Sequence, residues 1–237
     1  MMLPGRIDTG IPGMNEILYG GIPKGLTVLL SGGPGAGKSI FAYQYLYKGL
    51  RQGEPGVLLE LEDYPARVRM RMHMFGWDVK PYEDDRIFAI VDCFTGGIGE
   101  YARRERYIVK DPTDTSSLIE ALKTAIREVE AERVVVDAIS TLYLVKPEYA
   151  RQAIIQIKRL LVGLGCTSLL VWQKGVSGGS PLTTHIEHMV DGVIKLDLED
   201  TGEGYRRILV VSKMTGTKHS IRKHTFEITD KGIIVQP

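Results

Sequence analysis

The chain has 237 residues, 43% hydrophobic and 25% charged, which is ordinary globular composition with enough length for a sizeable core. Lysine plus arginine is 30 against 29 for aspartate plus glutamate, so the net charge of +1 advertises neither nucleic acid nor an anionic membrane as partner. No run approaches ~18 apolar residues and the N-terminus has no apolar stretch, so no membrane span or secretion signal is expected. The two cysteines, Cys93 and Cys166, stand far apart in apolar contexts, as buried free thiols of a reducing cytoplasm would.

Residues 5–25 are rich in glycine and proline, with a short helix expected over 14–18. A strand is expected over 26–30. It runs into Ser31-Gly32-Gly33-Pro34-Gly35-Ala36-Gly37-Lys38-Ser39, and an apolar, aromatic helical pattern starts at Ile40. Strand, glycine-rich loop and helix in that order, with Gly32, Gly37, Lys38 and Ser39 meeting G-x-x-x-x-G-K-[ST], mark a phosphate-binding loop. Glycines let successive N–H groups turn inward around an anion, and the helix N-terminus adds partial positive charge. Lys38 is placed to reach the β- and γ-phosphates, and the Ser39 hydroxyl to ligate Mg²⁺.

The helix ends near 49–53. A strand over 56–61 stops at Glu62 and Asp63. Pro65 then opens a helix over 66–75, whose Arg67, Arg69 and Arg71 are expected to spread around it as a solvated face. A strand over 87–92 follows. Residues 95–114, with three glycines and with Arg103, Arg104 and Arg106, read as a surface insertion. Then come a helix over 118–130, a buried strand over 133–137, a helix over 149–164 and a buried strand over 167–172 that ends at Gln173. A glycine- and serine-rich loop covers 174–184, and strands are expected over 192–198, 205–214, 225–229 and 232–235. Strands alternating with helices predict an α/β fold with a mostly parallel sheet, and the tail predicts antiparallel strands at one edge. No repeat or linker interrupts the chain, so one domain over 1–237 is expected.

Binding a nucleotide needs only the phosphate loop. Hydrolysis also needs Mg²⁺ held from a second side and a water aimed at the γ-phosphate. Val134-Val135-Val136-Asp137 is an apolar strand ending in a carboxylate, which suits Asp137 to the Mg²⁺, directly or through water. Glu62 and Asp63 end another strand, where α/β sheets place their ligand sites. Either carboxylate there could take a proton from water, or both could be solvated strand-end residues. Gln173 ends a third strand and could sense the γ-phosphate.

Six further stretches, together with the phosphate loop, carry a resemblance. They are Thr9-Gly10-Ile11-Pro12-Gly13, Gly20-Gly21-Ile22-Pro23, Phe75-Gly76-Trp77-Asp78, Val136-Asp137-Ala138-Ile139-Ser140, Gly216-Thr217-Lys218-His219 and Phe226-Glu227-Ile228-Thr229-Asp230-Lys231-Gly232-Ile233. In collinear order over nearly the whole chain, they resemble the archaeal KaiC-like ATPases of the RecA/RadA superfamily. The resemblance implies one RecA-like core that binds ATP or ADP with Mg²⁺ through residues 33–40, between the subunits of a homo-oligomeric, hexameric ring. It implies Glu62 as general base beside Asp63, Gln173 as γ-phosphate contact and Met74 at the base pocket. It implies that Lys213, Thr215, Thr217 and His219 reach the neighbour's nucleotide. Two departures stand out. Asp63 is usually glutamate, and the arginine of K-x-R-G-T-x-H is Thr215, which removes an arginine finger and implies slow turnover. Lys213 and Lys218 remain as cations on that stretch. Where the family's autokinase half has adjacent hydroxyl phosphosites, this chain has Glu187 and His188, so self-phosphorylation of that kind is not expected.

Two other readings stay open: an ATP-dependent oligomeric switch with little hydrolysis, and a paralogue acting on single-stranded DNA. Lys174 and the loop after Gln173 support the second, but that loop carries no aromatic for base stacking. Histidines 185, 188, 219 and 224 do not form a metal set with cysteine, so the nucleotide's Mg²⁺ is the metal expected. The sequence points to no particular protein partner.

Overall fold

The structure, a computed structural model, describes residues 5–100, 102–145, 147–175 and 182–237. The chain opens with β1 (Arg6–Ile7), α1 (Met14–Ile17) and β2 (Ile22–Pro23), then β3 (Thr27–Gly32) and α2 (Lys38–Arg51) on either side of the phosphate loop. Next come β4 (Gly56–Glu60), α3 (Pro65–Met74), α4 (Lys80–Asp84), β5 (Phe88–Asp92) and β6 (Tyr107–Ile108). The middle of the chain forms α5 (Thr115–Val129), β7 (Arg133–Asp137), α6 (Ser140–Val145), α7 (Pro147–Gly163) and β8 (Thr167–Gln173). It closes with α8 (Leu182–Met189), β9 (Gly192–Asp200), β10 (Tyr205–Met214), β11 (His224–Thr229) and β12 (Gly232–Val235).

Ten of these strands make one sheet in the order β12-β11-β10-β9-β3-β8-β7-β4-β5-β6. From β9 to β6 the neighbours run parallel, and β9 to β12 pair antiparallel, as the sequence predicts. Side chains alternate across a strand, and in the central strands both sets are apolar because helices cover both faces. Val28, Leu30, Leu58, Val135 and Val171 pack toward α2 and α3. Leu29, Leu59, Val134, Val136 and Leu170 pack toward α5 and α7. No helix among the described residues is long and apolar enough to cross a membrane.

The strand order sets the site. β8 and β7 lie between β3 and β4, so the C-terminal ends of all four strands meet at one edge. Gly32 stands opposite Gln173, and Glu60 opposite Asp137. The C-terminal hairpin, β11 with β12, is tied to the helix after the phosphate loop through Gln44. Its amide donates to the Ile233 carbonyl at 3.1 Å and accepts from the Ile233 N–H at 2.7 Å.

Several expectations need correction. Residues 95–114 are more than a surface insertion, because β6 joins the sheet edge beside β5 and Ala102, Tyr107 and Val109 are buried. α5 starts at Thr115, three residues before its first apolar position, because the Asp114 carboxylate accepts from the N–H groups of Ser116 and Ser117. α8 begins at Leu182, inside the loop expected over 174–184, and 176–181 lie outside the described residues. The short elements β1, β2, α4 and α6 have too few residues to show a period in the sequence. Both cysteines are buried and free.

Candidate active site

The phosphate loop spans the end of β3 and the start of α2. Gly37 caps α2 at φ 97°, a left-handed conformation that a residue with a Cβ resists. Gly33, Pro34 and Gly35 form the turn, Ala36 is buried, and the Ala36 N–H donates to the Gly33 carbonyl at 3.3 Å. Lys38 is 7% exposed, and its ammonium donates to the Gly33 carbonyl at 2.8 Å. Burial lowers the Lys38 pKa, and the carboxylates of Asp137 and Glu62 work against that.

An open cleft of about 510 Å³ stands over this loop. Ser39 and Ile40 line it with Glu62, Arg71, Asp137 and Gln173. The structure therefore brings the loop together with Glu62, Asp137 and Gln173, three of the four strand-end residues named from the sequence, while Asp63 does not line the cleft. Glu62 lies just past β4, and its carboxylate accepts from the Thr141 hydroxyl at 2.8 Å. The Gln173 N–H donates to the Ser140 hydroxyl at 3.2 Å, and the next N–H, of Lys174, donates to Gly32 at 2.9 Å.

Asp137 is 2% exposed, and among the described residues its Oδ1 has no hydrogen-bond donor. Burial pushes its carboxyl up to about 6, opposed by hydrogen bonding from Ser39 and by Lys38, and reinforced by Glu62. A buried carboxylate oxygen without a donor, beside the Ser39 hydroxyl, suits a hard divalent cation such as Mg²⁺.

Asp63 differs from its neighbour. It is buried, its carboxylate pairs with Arg71 and, at 3.4 Å, with Arg67, and it also accepts from the Tyr64 N–H at 2.8 Å. The expected spread of the arginines and their exposure hold, with the Arg67 and Arg71 side chains 60% and 42% exposed, but the purely solvated reading is corrected by these ion pairs. Arg67 and Arg71 are four residues apart, hence on one helix face, and both reach Asp63. Arg69 points elsewhere and bridges Glu83 and Glu105, each at 2.7 Å.

Two residues at or beside the site have a place that the sequence reading does not give them: Glu60, which it does not name, and Arg71, which it takes for a solvated residue. Glu60, 1% exposed, accepts from the N–H groups of Glu62 and Asp63 at 2.9 and 3.0 Å and from the Tyr43 hydroxyl at 3.2 Å. Burial and the neighbouring Asp137 raise its pKa. Its signal was a carboxylate at the fully buried end of an apolar strand. The other is Arg71, whose signal was its four-residue spacing from Arg67.

The remaining expected residues do not meet this cleft in their own chain. Met74 is 74% exposed at the end of α3. Met214 pairs with Gly192, which pairs with Val28, so β10 ends at the edge of the sheet opposite the phosphate loop. Lys213, Thr215, Thr217 and His219 lie there. The Lys213 ammonium donates to the carbonyls of Val190 at 2.6 Å and Glu187 at 3.2 Å. The Thr215 hydroxyl donates to Asp191 at 2.7 Å, Thr217 accepts from Arg6, and His219 Nδ1 is 3.5 Å from the Thr217 carbonyl. Lys218 sits 4.7 Å from the centre of the Tyr19 ring. Lys174, the cation considered for DNA, pairs with Asp197 at 3.2 Å.

Known proteins resemble this chain over nearly its whole length. Residues 7–237 match the family described as "ATPase: KaiC". A UPF0273 protein of Aeropyrum pernix is 58% identical over 98% of this chain and 94% of its own length. A UPF0273 protein of Thermotoga maritima is 54% identical over 98% of this chain and 96% of its own. The crystal structure of the KaiC-like protein PH0186 from Pyrococcus horikoshii superposes with a TM-score of 0.84 at 31% identity, covering 99% of this chain and all of that one. The loop, its carboxylates and these matches agree that the chain belongs to the KaiC-like family of P-loop ATPases.

Proposed function

We propose that the protein binds MgATP in this cleft and hydrolyses it. The observation that carries the reading is the convergence of Lys38, Glu62 and Asp137 on one cleft over the phosphate loop. Residues 33–40 surround the phosphates, and Lys38 neutralises charge at the β- and γ-positions. Mg²⁺, when bound, would polarise the phosphates, held by Ser39 and, directly or through water, by Asp137. Glu62 takes a proton from water as the water oxygen bonds to the γ-phosphorus and the bond to the β–γ bridging oxygen breaks. ADP and phosphate leave. Gln173 contacts the γ-phosphate. Met74 serves the base pocket. Asp63 serves as a positioning residue, because its carboxylate already holds two arginines.

In the same reading the protein is a single domain that forms a homo-oligomeric ring, of six subunits by resemblance. The stretch 213–219 lies at the wrong end of the sheet for its own nucleotide and would serve a neighbour's. Thr215 offers that nucleotide no guanidinium, so turnover is slow. Thr215 also favours the second reading, an ATP-dependent switch that hydrolyses little.

Lys38→Ala tests the site. Calorimetry should show MgATP affinity collapsing, and phosphate release should stop. Near-normal affinity would mean that the loop is not the site. Mass photometry of the native protein with and without ATP tests the ring, and a steady-state ATPase assay across protein concentration decides between the two readings: slow but sustained turnover supports the ATPase, and almost none supports the switch.

A further inference from the structure

Among the described residues lining the cleft, two carry positive charge: Lys38 and Arg71. Lys38 belongs to the phosphate loop. Arg71 comes from α3, and one corner of its guanidinium is anchored on Asp63. That anchor is fixed, since Asp63 is buried with its N–H on Glu60 at 3.0 Å. A guanidinium has five donors, and among the described contacts this one commits a single nitrogen, with the side chain 42% exposed at the cleft. Arg67 also reaches Asp63, so Arg71 can turn toward a ligand without leaving that buried carboxylate unpaired.

The other cations near the departure at Thr215 are engaged within their own chain. Lys213 binds two carbonyls below α8, and Lys218 lies against Tyr19. Arg71 lines the cleft itself, and its one described tie, to Asp63, holds a single corner of the guanidinium.

Building on the ATPase reading, we infer that Arg71 is a catalytic residue acting in cis. It contacts the γ-phosphate oxygens of its own subunit's ATP, with Asp63 as its positioning residue. As the water oxygen bonds to the γ-phosphorus, its proton passes to Glu62 and the bond to the bridging oxygen breaks. Negative charge shifts among the γ-oxygens and onto the leaving β-phosphate, and a planar fork offers them two parallel donors. The surface that reads as a solvated arginine face thus supplies part of what the neighbour's Thr215 does not.

The test uses the full chain with Arg71→Ala and Arg71→Lys. Turnover of Arg71→Ala should fall by about 10²–10³-fold, the loss typical of removing one preorganised transition-state donor. Mg-ADP affinity should stay within about threefold, while affinity for Mg-ADP with aluminium fluoride falls in step with turnover. Arg71→Lys should recover part of the loss, lacking the fork. A purely structural Arg71 would weaken both ligands alike, and that result overturns the inference. Mixing Arg71→Ala with Lys38→Ala subunits should restore no activity, because a cis residue cannot be lent across an interface. Restored turnover would place Arg71 in trans and overturn the inference. If wild type hydrolyses ATP, Lys38→Ala does not and Arg71→Ala is normal, the inference fails and the ATPase reading stands. If wild type binds no ATP, both fall.

Discussion

Glu62→Gln separates binding from chemistry. Glutamine keeps the size of glutamate and the Oε1 acceptor for the Thr141 hydroxyl at 2.8 Å, so the loop after β4 should hold its shape. What disappears is basicity and one negative charge. No neighbour can take over, because Asp63 is committed to Arg67, Arg71 and the Tyr64 N–H, and Glu60 is buried beneath two backbone N–H donors. General-base assistance is worth about 10²–10⁴ in rate, or about 2.7–5.4 kcal/mol of barrier at about 1.36 kcal/mol per decade. We therefore expect turnover at saturating MgATP to fall by that factor. Affinity should be unchanged or tighter, since a carboxylate near a polyanion has been neutralised. Phosphate release gives the first quantity and calorimetry the second. A Glu62→Gln protein with near-native turnover, beside an Asp63→Asn protein that has lost it, would refute the assignment of the pair.

On the ring reading, Thr215→Arg should raise turnover only at concentrations where a ring forms, because the arginine would then act on the neighbour's nucleotide. With Arg71 already present the gain should be about tenfold, below the 10³–10⁵ of a lone arginine finger, and ATP affinity should barely move. Unchanged turnover in a verified ring would mean that position 215 does not face the nucleotide. Gly232→Ala should weaken the link between the C-terminal hairpin and α2. Gly232 sits at φ 114°, and a Cβ there would lie 2.4 Å from Gln44 Oε1 and 2.6 Å from Trp77. Backbone strain and overpacking together cost about 2–5 kcal/mol, which should lower the melting temperature by roughly 5–20 °C. An unchanged melting curve would contradict this packing. Burial pushes the Cys166 thiol up to about 11 and Cys93 higher still. At pH 8 the Cys166 thiolate fraction is on the order of 10⁻³, so a chromogenic disulfide should find no reactive thiol in the folded protein and both after denaturation. Rapid reaction of either thiol in the native state would show that it is not enclosed.

The phosphate loop was legible in the sequence because it is a local object. Nine consecutive residues fix the backbone turn, the helix start and the position of Lys38. The central strands were legible because helices cover both faces of a parallel sheet, which leaves unbroken apolar runs such as Val134-Val135-Val136. The carboxylate ending that run follows the same logic, as do the closely spaced strands of the tail. Strand ends pointed to the partners of the loop, Glu62, Asp63, Asp137 and Gln173, and the resemblance implied their division of roles. Strand order was not legible, and it decides which distant residues meet. Glu62 touches Thr141, 79 residues away, only because β4 lies beside β7. The same order sets Glu60 opposite Asp137, and it carries 213–219 to the edge of the sheet opposite the phosphate loop. Arg71 differs from Arg69 only in the face of α3 it occupies, and what each face meets depends on elements far along the chain. Periodicity shows that a face exists, but tertiary packing puts Asp63 and a cleft before one arginine and two glutamates before the other.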